Sequence, residues 1–188
     1  MEAFLVSAGL VALAEIGDKT QLLALVLAAK YRKPVPIVAG ILVATLLNHA
    51  LAGALGAWLA SLVDPMKLRW VLGLSFIAMG VWTLIPDKYE EQSARPPRFG
   101  IFLTTVFAFF VLEMGDKTQI ATVALAAKYN FLGAVVAGTT LGMMLANVPA
   151  VLLGEVAARK LPMRVVHGVA AGIFLLLGVF ILLGTASH

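Results

Sequence analysis

Hydrophobic and polar positions alternate along this chain in long blocks, with apolar runs separated by short polar breaks. A helix needs ~20 apolar residues to cross the ~30 Å hydrocarbon core of a bilayer, and each run is long enough. The pattern therefore predicts an all-α membrane protein with six transmembrane helices. We expect these helices at 2–30, 34–62, 66–85, 99–128, from the turn at 130–133 to about 160, and 163–184.

Composition supports a membrane protein. Hydrophobic residues make up 61% of the 188 residues and charged residues 13%, whereas soluble domains average about 45–50% and about 25%. The chain has no cysteine, which excludes disulfides and zinc–thiolate sites. Its net charge of +4 does not indicate a nucleic-acid partner, because the basic residues cluster at helix ends, where they report membrane topology.

Two of the apolar runs carry almost the same charged heptapeptide near their centres. Residues 15–21 read EIGDKTQ and residues 113–119 read EMGDKTQ, so six of seven letters agree at an offset of 98 residues. The same offset aligns Phe76 with Phe174, and no gap is needed across three helices. We therefore interpret the chain as a duplicated three-helix unit.

The odd number of helices in each unit predicts how the units are oriented. We expect a first unit at 1–86, a cytoplasmic polar linker at 87–98 and a second unit at 99–188. A unit that crosses three times ends on the opposite side, so the second unit is inverted, as in secondary transporters with a site at the midplane. Nine Lys and Arg lie on the linker side and three on the other, which places both termini outside the cytoplasm.

Charge at the membrane centre is what makes the motifs chemically informative. A charged side chain there costs about 2.5–3.5 kcal/mol on insertion scales. The four motif carboxylates sum to −4 and the two lysines reduce this to −2, which one divalent cation or two protons would neutralise. Carboxylate and amide oxygens suit Mg²⁺, Ca²⁺ and Mn²⁺. The motifs therefore predict exchange of a divalent cation for protons, with Glu15 and Glu113 as proton carriers.

The candidate site residues come from both motifs and from the second helix of each unit. Lys19 and Lys117 are expected to balance charge and to hold Asp18 and Asp116 ionised. The candidate cation ligands are Glu15, Asp18, Gln21, Glu113, Asp116 and Gln119. Residues expected to complete the coordination shell or relay protons are Thr20, Thr118, Asn48, His49 and Asn147. A buried salt-bridge cluster is the structural alternative, but repetition of every polar letter favours a function.

The two copies of E-x-G-D-K-[ST], at 15–20 and 113–118, resemble those of the Golgi calcium/manganese transporter family and its bacterial manganese exporters. The resemblance covers essentially the whole chain. It implies export of Mn²⁺ or Ca²⁺ from the cytosol in exchange for protons, with the acidic motif residues as the cation site. The first helix has no extended targeting region before it, so we expect a bacterial inner-membrane protein. We expect no cofactor besides the transported Mn²⁺ or Ca²⁺.

Three other functions are compatible with parts of the pattern. Four carboxylates could bind an organic cation such as a basic amino acid, which would make the protein an exporter of that class. Rings of acids could line a passive cation channel, although the paired lysines disfavour one. An intramembrane enzyme could use paired carboxylates as acid and base, but no residue supplies a nucleophile, and we expect no enzymatic activity.

Overall fold

The computed structural model describes residues 1–85, 100–129, 131–153 and 163–184. These residues form helices and no strands, which confirms the all-α class. The helices of the described residues are α1 (Glu2–Glu15), α2 (Lys19–Tyr31), α3 (Pro34–Leu62), α4 (Pro65–Thr83), α5 (Gly100–Glu113), α6 (Lys117–Tyr129), α7 (Leu132–Leu153) and α8 (Met163–Leu183). The predicted linker at 87–98 and the predicted end of the fifth helix near 160 lie outside the described residues.

Two predicted helices are not continuous. The helix expected at 2–30 is broken into α1 and α2, and the helix expected at 99–128 is broken into α5 and α6. Each break contains a glycine with a left-handed backbone, at φ 85° for Gly17 and 75° for Gly115. A side chain would cost about 1–2 kcal/mol in that conformation, so glycine is the residue that permits the break. Apolar run length alone does not reveal it.

The outer surface is that of an integral membrane protein. Three helices are long and apolar enough to span a bilayer among the described residues, namely α3, α7 and the 165–183 part of α8. Large apolar side chains such as Trp58, Phe107 and Phe180 are more than half exposed on the outside, which a soluble monomer of this size would not tolerate over so wide an area. The broken helices have 13 or 14 residues each, so each piece extends only about 20 Å.

The two halves of the chain pack into each other. α1 and α2 contact α7 from the second half, while α5 and α6 contact α3 from the first half. Small residues allow the close approach: a Cβ atom on Gly40 would lie 2.9 Å from the Phe102 carbonyl oxygen, and one on Gly138 would lie 2.5 Å from the Phe4 carbonyl oxygen. Gly138 lies 98 residues after Gly40, and Phe102 lies 98 residues after Phe4, so the two contacts are equivalent.

The third helices of the two units, α4 and α8, meet each other. The rings of Phe76 and Phe174 are 6.2 Å apart between centroids, and these two residues are equivalent at the 98-residue offset. Equivalent residues of the two halves therefore contact each other here.

The contact between α3 and α6 yields a test of this packing. A Cβ atom on Gly56 of α3 would overlap the carbonyl oxygen of Val123 on α6. We expect Gly56→Ala to destabilise the fold by about 1–3 kcal/mol, the usual effect of overpacking, and to lower the thermal unfolding midpoint in detergent.

Gly133→Ala is the matched control, because nothing lies within 4 Å of a Cβ atom at that helical position. Both changes add one methyl group to a helix. Equal unfolding midpoints for the two variants would contradict the close contact between α3 and α6.

Candidate cation site

The two motifs meet inside the protein and exchange ion pairs. The Lys19 ammonium lies 2.8 Å from an Asp116 carboxylate oxygen, and the Lys117 ammonium lies 3.7 Å from an Asp18 carboxylate oxygen. Each lysine thus pairs with the aspartate of the other motif. The sequence predicted that the lysines accompany these aspartates, but it did not predict that each pair joins the two motifs.

Burial makes these pairs energetically important. Glu15 and Glu113 are fully buried, and Asp18 and Asp116 are only 1% exposed. Removing one partner of a buried pair typically costs 3–5 kcal/mol, because an uncompensated charge remains. The crossed pairs therefore hold the two halves together at the same place where the carboxylates gather.

Three of the four acids form one cluster. Glu15, Asp18 and Asp116 each offer an oxygen atom within 4.8 Å of the others. Two ligand atoms at about 2.1 Å from one ion can be at most about 4.2 Å apart, so a small inward movement would let the three oxygens bind one divalent ion. Both Glu15 oxygens have no hydrogen-bond partner among the described residues, and buried polar atoms in that condition are rare.

The fourth acid has a different neighbour. An oxygen of Glu113 lies 3.9 Å from Nε2 of His49, and both side chains are fully buried. Glu113 therefore has a buried imidazole as a neighbour in addition to the other motif acids.

The motif glutamines bridge the broken helices. The side-chain oxygen of Gln21 accepts a hydrogen bond from the Gly17 N–H at 2.9 Å, and its amide group donates to the Ala146 carbonyl oxygen at 2.9 Å. The Gln119 oxygen accepts from the Gly115 N–H at 2.7 Å. The glutamines therefore stabilise the breaks, and their role as cation ligands stays a prediction.

The remaining predicted residues are buried around the motifs. The amide group of Asn48 donates to the Phe110 carbonyl oxygen at 3.1 Å, and that of Asn147 donates to the Met143 carbonyl oxygen at 3.0 Å. Within the ranges that the structure describes, four of these residues keep a side-chain oxygen without a hydrogen-bond partner: Thr20, Thr118, Asn48 and Asn147. These oxygens could coordinate a cation directly or through water.

Helix ends add partial charges to the site. The Asp18 N–H donates to the Glu15 carbonyl oxygen at 3.0 Å, and the Asp116 N–H donates to the Glu113 carbonyl oxygen at 3.1 Å. The breaks thus set the C-termini of α1 and α5, which favour cations, beside the N-termini of α2 and α6, which favour carboxylates. Asp18 also caps α2, since its side chain accepts from the Lys19 N–H at 2.7 Å.

One contact at the site was absent from the sequence-based assignment. Nε2 of His167, on α8, lies 3.1 Å from the carbonyl oxygen of Ile16 in the first break. The sequence assigned His167 no role because it lies near the predicted end of a helix, and no spacing rule relates it to a residue 151 positions away.

Buried carboxylates on broken helices within an integral membrane protein define the class of secondary cation transporters. The particular family follows from comparison with known proteins. The family described as "Divalent cation/proton antiporter GDT1" matches residues 3–91 and 101–188. The chain belongs to this family, and the resemblance stated from the motifs is confirmed.

Individual relatives agree with this membership. A Vibrio cholerae protein named "Putative manganese exporter" is 53% identical over 178 residues, which cover 94% of this chain and 88% of that protein. A GDT1-like protein 5 of rice, Oryza sativa, is 30% identical over 94% of this chain and 92% of its own length. A GDT1-like protein of Synechocystis is 29% identical over 95% and 96%. No solved structure matches the chain.

The backbone at the breaks gives a test of the site. Gly115 has φ 75°, and nothing lies within 4 Å of a Cβ atom placed there. We expect Gly115→Ala to destabilise the protein by about 1–2 kcal/mol through the backbone alone, which the unfolding midpoint in detergent would report.

Gly9→Ala in α1 provides the comparison, because that position also has open space but lacks a left-handed backbone. We expect this variant to unfold at the temperature of the original protein or above it, since alanine favours a helix over glycine. Unfolding of Gly115→Ala at the original temperature would be inconsistent with a broken helix.

Proposed function

We propose that this protein exports Mn²⁺ from the cytosol in exchange for protons, with Ca²⁺ as an alternative cargo. The crossed ion pairs around Glu15, Asp18 and Asp116 are the observation that carries the proposal. They bring acids from both halves to one buried place whose net charge suits a divalent ion. The family's description names divalent cations and protons, and the Vibrio cholerae relative is named for manganese export.

Exchange follows from competition for the same oxygens. The two lysines offset two of the four motif carboxylates, so two negative charges remain when all groups are ionised. Either one divalent cation or two protons removes that charge, and burial makes leaving it uncompensated costly. A cation that enters therefore displaces protons, and protons that return release the cation. This coupling requires no enzymatic step.

The proposal includes an arrangement in the membrane with six crossings. Each broken pair of helices counts as one crossing, because both pieces of a pair pack along one membrane-length helix: α1 and α2 along α7, and α5 and α6 along α3. Three crossings in each half make the halves inverted, and the reciprocal contacts at Phe76 and Phe174 support a two-fold axis between them. Both termini then lie outside the cytoplasm, in a bacterial inner membrane.

Differences between the two crossed pairs suggest how access alternates. The Lys19–Asp116 pair is 2.8 Å long and its lysine is 23% exposed, whereas the Lys117–Asp18 pair is 3.7 Å long and its lysine is 2% exposed. Because the two motifs are nearly identical, a second state in which Lys117–Asp18 is the short pair and Lys19–Asp116 the long pair would make similar contacts. Exchange of the short and the long pair between the halves would therefore open the site toward the other side of the membrane.

The cation site is tested in reconstituted vesicles that contain a Mn²⁺-sensitive dye under an imposed pH gradient. We expect Glu15→Gln and Glu113→Gln to reduce proton-driven Mn²⁺ flux by at least about tenfold, the usual effect of disturbing a metal site. Glu2→Gln serves as the control, since it removes a carboxylate at the exposed start of α1 and should leave the flux unchanged.

Two outcomes would contradict this mechanism. Unchanged Mn²⁺ flux in both glutamine variants would show that these carboxylates do not bind the transported cation. Mn²⁺ flux in the original protein that does not depend on the pH gradient would favour a channel or uniporter over an antiporter.

The membrane orientation is tested with single cysteines, because the chain has none of its own. Lys33 and Lys67 are exposed. Lys33 directly precedes α3, and Lys67 lies in the first turn of α4, which follows the other end of α3. In intact bacterial cells we expect a membrane-impermeant maleimide to label Lys67→Cys at once and Lys33→Cys only after permeabilisation. The reverse pattern would place both termini in the cytoplasm.

A further inference from the structure

One buried position near the carboxylates differs between the two halves. The motif acids, lysines, threonines and glutamines are all repeated, but His49 in the first half corresponds to Asn147 in the second. An imidazole differs from an amide in offering a nitrogen ligand to a metal ion. The cation site is therefore chemically asymmetric at this position, although the two motifs are nearly identical.

The His49 ring is buried without a polar contact at hydrogen-bond distance. Its exposed fraction is 0%, and neither ring nitrogen has a hydrogen-bond partner in the described part of the chain. The same holds for both oxygens of its neighbour Glu113. Leaving such groups unpaired in a dry interior costs free energy, so a bound ligand that satisfies both side chains would stabilise this arrangement.

The distance between His49 and Glu113 fits a shared metal ion better than a hydrogen bond. Nε2 and the nearer carboxylate oxygen are 3.9 Å apart, which exceeds the 2.7–3.2 Å of a hydrogen bond. Two ligands at about 2.1 Å from one ion can be up to about 4.2 Å apart. The separation of the two atoms is thus within the range that one cation can span.

The other half offers no equivalent nitrogen. The amide nitrogen of Asn147 donates to the Met143 carbonyl oxygen at 3.0 Å, and an amide nitrogen is a donor that does not bind metal ions. Only the Asn147 oxygen remains for coordination. The half-site next to Glu113 is therefore the one with mixed nitrogen and oxygen ligands.

We propose that His49 and Glu113 form a nitrogen–oxygen subsite for the transported cation, and that His49 makes the transporter favour Mn²⁺ over Ca²⁺. This inference rests on the proposed export of divalent cations and adds the residue that selects among them. Ca²⁺ takes oxygen ligands almost exclusively, whereas the divalent first-row metals also bind sites with nitrogen ligands, Mn²⁺ with the lowest affinity among them. The three-carboxylate cluster, which offers oxygen alone, accepts either ion.

The test compares Mn²⁺ and Ca²⁺ flux in vesicles for the original protein and His49→Asn. This substitution gives the first half the residue that the second half already has. We expect the half-saturating Mn²⁺ concentration to rise about tenfold or more while that for Ca²⁺ stays unchanged, so that the preference for Mn²⁺ falls by the same factor. His167→Asn makes the same chemical change at the break in the first motif and should keep the ratio between the two ions.

A spectroscopic measurement detects the nitrogen ligand directly. Pulsed electron paramagnetic resonance of Mn²⁺ bound to the purified protein reports coupling to a coordinated ¹⁴N nucleus. We expect this coupling in the original protein and in His167→Asn, and its loss in His49→Asn. Because the first of these samples carries no substitution, absence of coupling there would refute the subsite even if His49→Asn does not fold.

Three results would overturn the subsite: bound Mn²⁺ without ¹⁴N coupling in the original protein, coupling that persists in His49→Asn, or an equal loss of Mn²⁺ and Ca²⁺ flux in that variant. Failure of the proposed function has a different signature. If the original protein moved no Mn²⁺, the export proposal would be wrong, while the ¹⁴N coupling of bound Mn²⁺ would still decide the role of His49.

Discussion

The crossed ion pairs between the two motifs are the interaction on which the rest of the structure depends. Four carboxylates and two ammonium groups lie in a protein whose outer surface is apolar. Placing a charge inside such a protein costs free energy at any position. Pairing each lysine with the aspartate of the other motif lowers that cost only when both halves are in place. The same contacts that hold the halves together therefore assemble the acidic cluster.

The crossed pairs in turn require the breaks in the helices. A continuous helix would satisfy its own backbone groups and leave the acids along one face, whereas the breaks bring helix ends and acids to one place. Gly17 and Gly115 allow the necessary backbone, and Gln21 and Gln119 satisfy the freed N–H groups. Broken helices with charged ends at the centre are how membrane transporters bind ions without exposing backbone to lipid.

Much of the site could be predicted because polar residues in an apolar run are conspicuous. The acids, the lysines and the duplication were all visible in this way. The summed charge of the two motifs also indicated a divalent cation. The neighbours of each acid were not. Glu113 lies beside His49, and Glu15 lies with the two aspartates. These contacts depend on how helices from different halves cross, which the spacing within one motif does not contain. His167 at Ile16 was missed for the same reason.

The sequence by itself determined that the protein is helical, membrane-embedded and duplicated, because apolar run length, composition and a constant offset are properties of the linear chain. It also determined which charged and polar side chains lie within the apolar runs. Only the tertiary structure decided that the motif helices are broken, that each lysine pairs with the opposite aspartate, and that one histidine faces one glutamate. The ion pairs join residues about 100 positions apart, and the histidine and the glutamate are 64 positions apart. Their geometry is set by packing of the two halves, which the linear chain does not reveal.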